Sequence, residues 1–302
     1  MAAPESSCQA PHRDPTLRDL GVFFVFGCQK SGTTWVQHLL NAHPNLCCGG
    51  EGHLADLLIP LLQQAVNVYN QRQAARSDPG LDVLLTEDDL LAAARTLGDR
   101  ILSGYLRRLA GPSAIRAVGD KAPEYAIAIG PLNRLYPHSK YIHIIRDGRD
   151  AAASGWAHLQ RQGKAGQFAT FADYAAYFAR HHWKPYITRA RADGQSLSGR
   201  YLELRYEDLH ADPIGPTRSM LEFLGVESDA DAVAACVEGG SFERLSGGRS
   251  RGQEDARSFF RKGVVGDWRE HFDEEAERAF AANSGDLLRQ LGYERAPARA
   301  EA

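Results

Sequence analysis

The chain has 302 residues, 43% of them hydrophobic and 24% charged, and a formal net charge of −3. This composition is that of an ordinary globular protein able to bury a core; it excludes disordered and fibrous classes and argues against a general nucleic-acid binder. An anionic ligand must therefore be held by local cations rather than by the field of the whole molecule.

In chain order, residues 1–18 are polar and Pro-containing and read as a tail, without the apolar stretch of a secretory signal. Val22–Phe26 (VFFVF), bounded by Gly21 and Gly27, predicts a strand buried on both faces. Thr33–Ala42, Leu54–Gln71 and Glu87–Leu109 carry helical patterns, the last with a capping-box-like start at Thr86 and Asp89. Strands follow at Ile115–Val118, Tyr141–Ile145 and Tyr201–Leu204, with helices over Arg149–Arg161, Phe168–Arg191 and Pro216–Leu224. Residues 295–302 read as a second tail. Strands alternating with helices predict one α/β domain over 19–294, a mostly parallel sheet flanked by helices. The helical segment 54–110 is expected to form a cap over the carboxyl ends of the strands, on the acceptor side of any site there. No run approaches the roughly 18 apolar residues that span a bilayer, so no membrane span and a cytoplasmic location are expected. Cys8, Cys28, Cys47, Cys48 and Cys236 show no zinc spacing and read as reduced thiols.

After the first strand, Gly27-Cys28-Gln29-Lys30-Ser31-Gly32-Thr33-Thr34-Trp35 forms a loop that opens a helix. There backbone N–H groups and the helix dipole converge on a point suited to phosphate oxygens. The common triphosphate loop places a Lys after its second Gly. Here Thr33 holds that position, and the only cation is the earlier Lys30. The pattern indicates a point charge near a transferring group and no need for a metal.

The run Lys30 to Trp35 resembles the 5′-phosphosulfate loop of the family of sulfotransferases that use 3′-phosphoadenosine 5′-phosphosulfate (PAPS). The resemblance implies a fold like that of P-loop nucleotide kinases. It also implies that Lys30, Ser31, Gly32, Thr33 and Thr34 bind the phosphosulfate while Trp35 packs on adenine. Arg146-Asp147-Gly148-Arg149-Asp150 with Ser154 resembles the family's 3′-phosphate motif, in which the Arg and the Ser bind the phosphate. Arg261-Lys262-Gly263 through Trp268 is similar to the loop of the cytosolic branch that clamps the same phosphate. Tyr206, in a Tyr-Glu-Asp-Leu segment, resembles the residue that approaches the nucleotide, and Ser241-Phe242 a segment near the adenine.

For the proton-accepting base, Gly119 to Tyr125 lacks the His of the cytosolic branch. The stretch from Asn41 to Glu51 resembles instead the tyrosylprotein and saccharide branches, which use a Glu. The implied catalytic residues are Glu51 as base, Lys30 at the leaving oxygen and Lys121 beside the sulfuryl group, with His53 as the rival base. The co-substrate implied is PAPS, released as adenosine 3′,5′-bisphosphate (PAP), without a metal. The acceptor stays open among small molecules, saccharides and peptides, as does the oligomeric state. A P-loop small-molecule kinase and a non-catalytic PAPS- or PAP-binding protein are the alternatives.

Overall fold

In the computed structural model, which describes residues 17–75, 83–109 and 114–294, the first apolar run forms β1 (Gly21–Phe26). Every residue after Gly21 in this strand is buried, as a central strand covered on both faces requires. There follow α1 (Thr33–Asn41), β2 (Leu46–Gly50), α2 (Ile59–Ala74) entered through a wide turn at Leu54–Leu58, and α3 (Glu87–Leu109). Then come β3 (Ala117–Lys121), α4 (Ile129–Leu135), β4 (Lys140–Ile145), α5 (Gly148–Arg161), α6 (Phe171–Phe178) and α7 (Lys184–Gly194). The chain continues through β5 (Tyr201–Arg205), α8 (Tyr206–Ala211), α9 (Ile214–Leu224), α10 (Ala230–Gly239), α11 (Phe242–Ser246) and α12 (Glu274–Gln290).

The five strands form one parallel sheet in the order β2-β3-β1-β4-β5. Alternation along the strands divides the core in two. Phe24, Phe26 and Tyr141 pack with residues of α3 to α7 and α12 on one face. Phe23, Val25, Ile142 and Ile144 pack with α1, α8, α9 and α10 on the other. From β1 the chain moves outward to β2 and β3, then returns to β4 and β5 on the opposite side. The connections therefore diverge between β1 and β4, which is where open parallel sheets form their crevice.

The single α/β domain with a parallel sheet flanked by helices agrees with the sequence reading; several elements differ from it. β2, Leu-Cys-Cys-Gly-Gly, has no β-branched residue and reads as a loop, yet its pairing with β3 and the burial of Leu46 to Gly49 make it a strand. The strand expected over Ile115–Val118 starts at Ala117 and runs through Asp120 and Lys121. The helix expected over Phe168–Arg191 is two α-helices joined by a wide turn at Ala179–Trp183. The capping box of α3 forms, with Thr86 and Asp89 bonded reciprocally. Its helix packs on β2 and β3 and so belongs to the layer over the sheet face. The expected tails lie outside the described residues except for Leu17 and Arg18, and Leu17 is buried. Of the cysteines, Cys28, Cys47, Cys48 and Cys236 are free and buried, and Cys8 lies outside the described residues. No helix among the described residues is long and apolar enough to cross a membrane.

Candidate active site

Each strand delivers a residue just beyond its carboxyl end into one cavity of about 510 Å³: Lys30 after β1, Glu51 after β2, Glu124 after β3, Arg146 after β4 and Tyr206 after β5. Neighbouring strands lie about 4.8 Å apart, so the ends of β2 and β4, three spacings apart, are separated by about 14 Å. The cavity thus has an acidic end at Glu51 and a cationic end at Arg146.

The loop after β1 turns through two left-handed residues, Lys30 at φ 67° and Gly32 at φ 101°. A Cβ at Gly32 would stand 2.7 Å from the Tyr206 ring, so glycine is needed there. Lys30 holds this conformation with a full side chain, at a cost of about 1–2 kcal/mol. Its ammonium stands 4.7 Å from the centre of the Phe259 ring and makes no ion pair among the described residues. Burial, together with Arg161, Arg146 and Arg261 nearby, pulls its pKa down to about 8.

Arg146 is buried at the end of β4. Its Nη1 donates to the Lys30 carbonyl at 3.2 Å and its Nη2 to the Val264 carbonyl at 3.2 Å, and its guanidinium stacks 4.3 Å from the centre of the Tyr206 ring. One side chain thereby joins the Lys30 loop, the Arg261 loop and α8. Asp147 caps α5 by accepting from the Arg149 amide, and Asp150 accepts from the amides of Gly266 (2.7 Å) and Trp268 (2.8 Å). The acids of the Arg-Asp-x-x-Asp run thus hold the helix start and the distant loop, and Asp150 Oδ2 also lies 3.8 Å from Arg146 Nη2. Arg261 pairs with Asp267 and with Glu254 (2.5 Å), and Lys262 with Asp267 (2.7 Å) and Glu270 (2.6 Å). Ser31 Oγ and Arg146 Nε are buried without a hydrogen-bond partner among the described residues. Of the two, only Arg146 belongs to the cavity lining, and an anion there could accept from its free Nε.

At the other end, Lys121 Nζ donates to Glu51 Oε1 at 2.6 Å, and Glu51 Oε2 lies 4.0 Å from His53 Nε2. The Lys121 side chain is buried and does not line the cavity, whereas that of Glu51 is half exposed and does. His53 Nδ1 bonds Asp56 at 2.7 Å. Burial works against the His53 imidazolium, but the Asp56 hydrogen bond and the charges of Asp56, Glu124 and Glu51 prevail and raise its pKa.

Residues 23–231 match the sulfotransferase family. The chain belongs to that family. Among curated relatives it is 24% identical to protein-tyrosine sulfotransferase 1 of Danio rerio over 212 residues, 69% of this chain and 54% of the relative. It is 26% identical to cytosolic sulfotransferase 1 of Arabidopsis thaliana over 157 residues, 46% of this chain and 47% of the relative. The chain spans about half the length of the curated relatives it matches. Among solved structures it resembles mouse sulfotransferase SULT7A1 complexed with PAP, with TM-score 0.57, 18% identity and coverage of 92% of this chain and 87% of that one. The sulfotransferase domain of the Synechococcus PCC 7002 olefin synthase gives TM-score 0.53, 20% identity and coverage of 92% and 97%. These structures establish the shared fold.

The region matched to the sulfotransferase family contains Lys30, Glu51, Lys121, Arg146, Ser154 and Tyr206, while Arg261, Lys262 and Gly263 lie beyond it. Of the residues singled out in the sequence, Lys30, Gly32, Thr33, Thr34, Trp35, Glu51, Arg146, Ser154, Tyr206, Arg261, Lys262 and Gly263 line the one cavity. Ser31 is buried and does not line it, and Lys121 lies behind Glu51. A second cavity of about 300 Å³ shares Trp35, Gly240, Phe242 and Arg251 with the first. Trp35 Nε1 donates to the Gly240 carbonyl at 2.8 Å, and its ring meets Tyr206 edge-on at 5.3 Å. Sequence reasoning missed Gln29, Glu124, His158, His210 and Arg251 as lining residues. His158 had a usable signal, since it follows Ser154 by four positions on α5 and so shares its face. Arg251 had none: it reaches the cavity through the long loop after α11.

Proposed function

We propose that this protein transfers the sulfuryl group of PAPS to a hydroxyl or amine acceptor and releases PAP. The observation that carries the reading is the single cavity, cationic at Lys30, Arg146 and Arg261 and acidic at Glu51, formed where all five parallel strands end. PAPS, when bound, supplies an activated sulfuryl group on a phosphate leaving group. Arg146, Ser154, Arg261, Lys262 and the Gly263 backbone would hold the 3′-phosphate. Ser31, Gly32, Thr33 and Thr34 would hold the 5′-phosphosulfate, with Trp35 and Tyr206 beside the adenosine.

In the transfer, the acceptor oxygen bonds to sulfur as the bond from sulfur to the bridging phosphate oxygen breaks, and that oxygen keeps the electron pair. The Lys30 ammonium stabilises the charge gathering there. Glu51, oriented through Oε1 by Lys121, receives the acceptor proton at Oε2. The acceptor would enter over Glu51, beside the Leu54–Leu58 turn and α2, which we take as the acceptor-side cap and whose Leu57, Leu61, Val68 and Tyr69 are exposed. Free buried cysteines suit a reducing compartment, and a cytoplasmic location is part of the proposal.

Incubation with sulfur-labelled PAPS and a panel of phenols, alcohols, saccharides and tyrosine peptides tests the reading. Label on an acceptor with stoichiometric PAP supports it. PAP binding without transfer to any member would favour a nucleotide-binding protein, and ATP-dependent phosphorylation a kinase.

A further inference from the structure

β3 ends in two buried charged residues that face opposite sides of the sheet, Asp120 toward α3 and Lys121 toward α1. Lys121 grips the Glu51 carboxylate, whereas Asp120 has a different set of partners. It is fully buried and makes no ion pair among the described residues. Its oxygens accept from the Gly52 amide at 3.2 and 3.0 Å, from the Tyr105 hydroxyl at 3.1 Å and from the Tyr125 hydroxyl. Tyr125 in turn accepts from the Leu54 amide at 3.0 Å, and the Glu51 amide donates to the Lys121 carbonyl at 3.3 Å. The amides of Glu51, Gly52 and Leu54 are thus all tied, directly or through Tyr125, to the end of β3.

This loop needs such ties. Glu51 at φ 32° and His53 at φ 49° are non-glycine residues in the left-handed region, on either side of Gly52. Backbone of this kind persists only where its surroundings over-determine it. The fit is close as well: a Cβ on Gly52 would stand 2.7 Å from Asp120 Oδ2 and 2.9 Å from the Tyr105 hydroxyl.

We infer that Asp120 is a positioning residue for Glu51, clamping the Glu51–His53 turn through the Gly52 amide so that the Glu51 carboxylate meets Lys121 and faces the cavity. The inference rests on the proposed role of Glu51 as the base. Asp120 touches neither donor nor acceptor, since it does not line the cavity. Its effect passes through the peptide that follows Glu51.

The test uses the full chain and two variants, Asp120→Asn, which is nearly isosteric, and Gly52→Ala, which pushes the two groups apart. Hydrogen exchange should speed up over residues 51–54 in both, while the phosphate-loop peptides and PAP affinity stay as in the parent. With whichever acceptor of the panel is turned over, kcat should fall by about 10²-fold with the KM for PAPS unchanged. In a Glu51→Gln background, Asp120→Asn should add no further loss, because the group it positions is gone. Unchanged exchange over 51–54 would overturn the inference, as would an equal loss from Asp120→Asn with and without Glu51. Full activity of Glu51→Gln alone would instead refute the assignment of the base, whatever the exchange result.

Discussion

The Arg146 guanidinium donates a hydrogen bond to the Lys30 carbonyl, so two motifs 116 residues apart in sequence share one wall of the cavity. The donor reading requires this closeness, because one nucleotide must touch both. Arg146 also stacks on Tyr206 and bonds Val264 in the Arg261 loop, so it organises the cationic end as well as charging it. Four consequences can be measured.

Glu51→Gln keeps the shape of the side chain and removes its basicity. The expected result is a fall in kcat on the order of 10²–10⁴-fold with PAP affinity near that of the parent. Steady-state kinetics with titration calorimetry read both quantities. Retention of full turnover would move the proton-accepting role to another group, with His53 the first to examine.

Lys30 titrates at about 8, lowered first by burial and then by neighbouring arginines. A bound anion favours the charged ammonium, so the pKa is higher in the complex and binding takes up a proton between the two values. Affinity for PAP should therefore be steady below about pH 8 and decline as pH rises above it. Lys30→Arg, whose cation does not titrate in this range, should flatten the decline. Calorimetry from about pH 7 to about pH 9.5 would decide this, and a pH-independent affinity in the parent would contradict it.

Asp150 is buried and accepts from the amides of Gly266 and Trp268, which ties the Arg261 loop to α5. Asp150→Ala leaves those two amides without their acceptor, at about 1–3 kcal/mol each if they remain buried. Thermal unfolding should show a clear loss of stability, and PAP should bind more weakly because the cradle is loosened. If both stay as in the parent, the loop is held by other means.

The parts of the molecule that could be read in the sequence are those whose signal is local. β1 is apolar throughout, the loop after it has its glycine and hydroxyls in one short run, and Arg146 stands at the end of an obvious strand. β2 was hidden because its residues are small and its identity as a strand comes from pairing with β3, a long-range fact. α12 was hidden because its buried stripe includes Ala276, Ser284 and Gly285 among the larger Phe280, Leu287 and Leu288, which blurs the periodicity. The wide turn at Ala179–Trp183 shifts the helical hydrogen bonding without any change in composition to announce it. In the site, most residues of the motifs line one cavity while Ser31 and Lys121 do not, and Glu124, His210 and Arg251 join the lining only through folding. The pairing of Lys121 with Glu51 was likewise invisible, since it needs the register of β2 on β3.

The central claim is that one nucleotide is gripped at both ends, and the preference for PAP over adenosine 5′-monophosphate tests it most directly. Calorimetric titration of both ligands into the parent, Arg146→Ala and Arg261→Ala proteins isolates the contribution of the 3′-phosphate. The expected result is a marked preference for PAP in the parent, reduced in each variant by about 2 kcal/mol or more through loss of a charge-assisted contact. Equal affinity of the parent for the two nucleotides, or a preference left intact in both variants, would contradict the account.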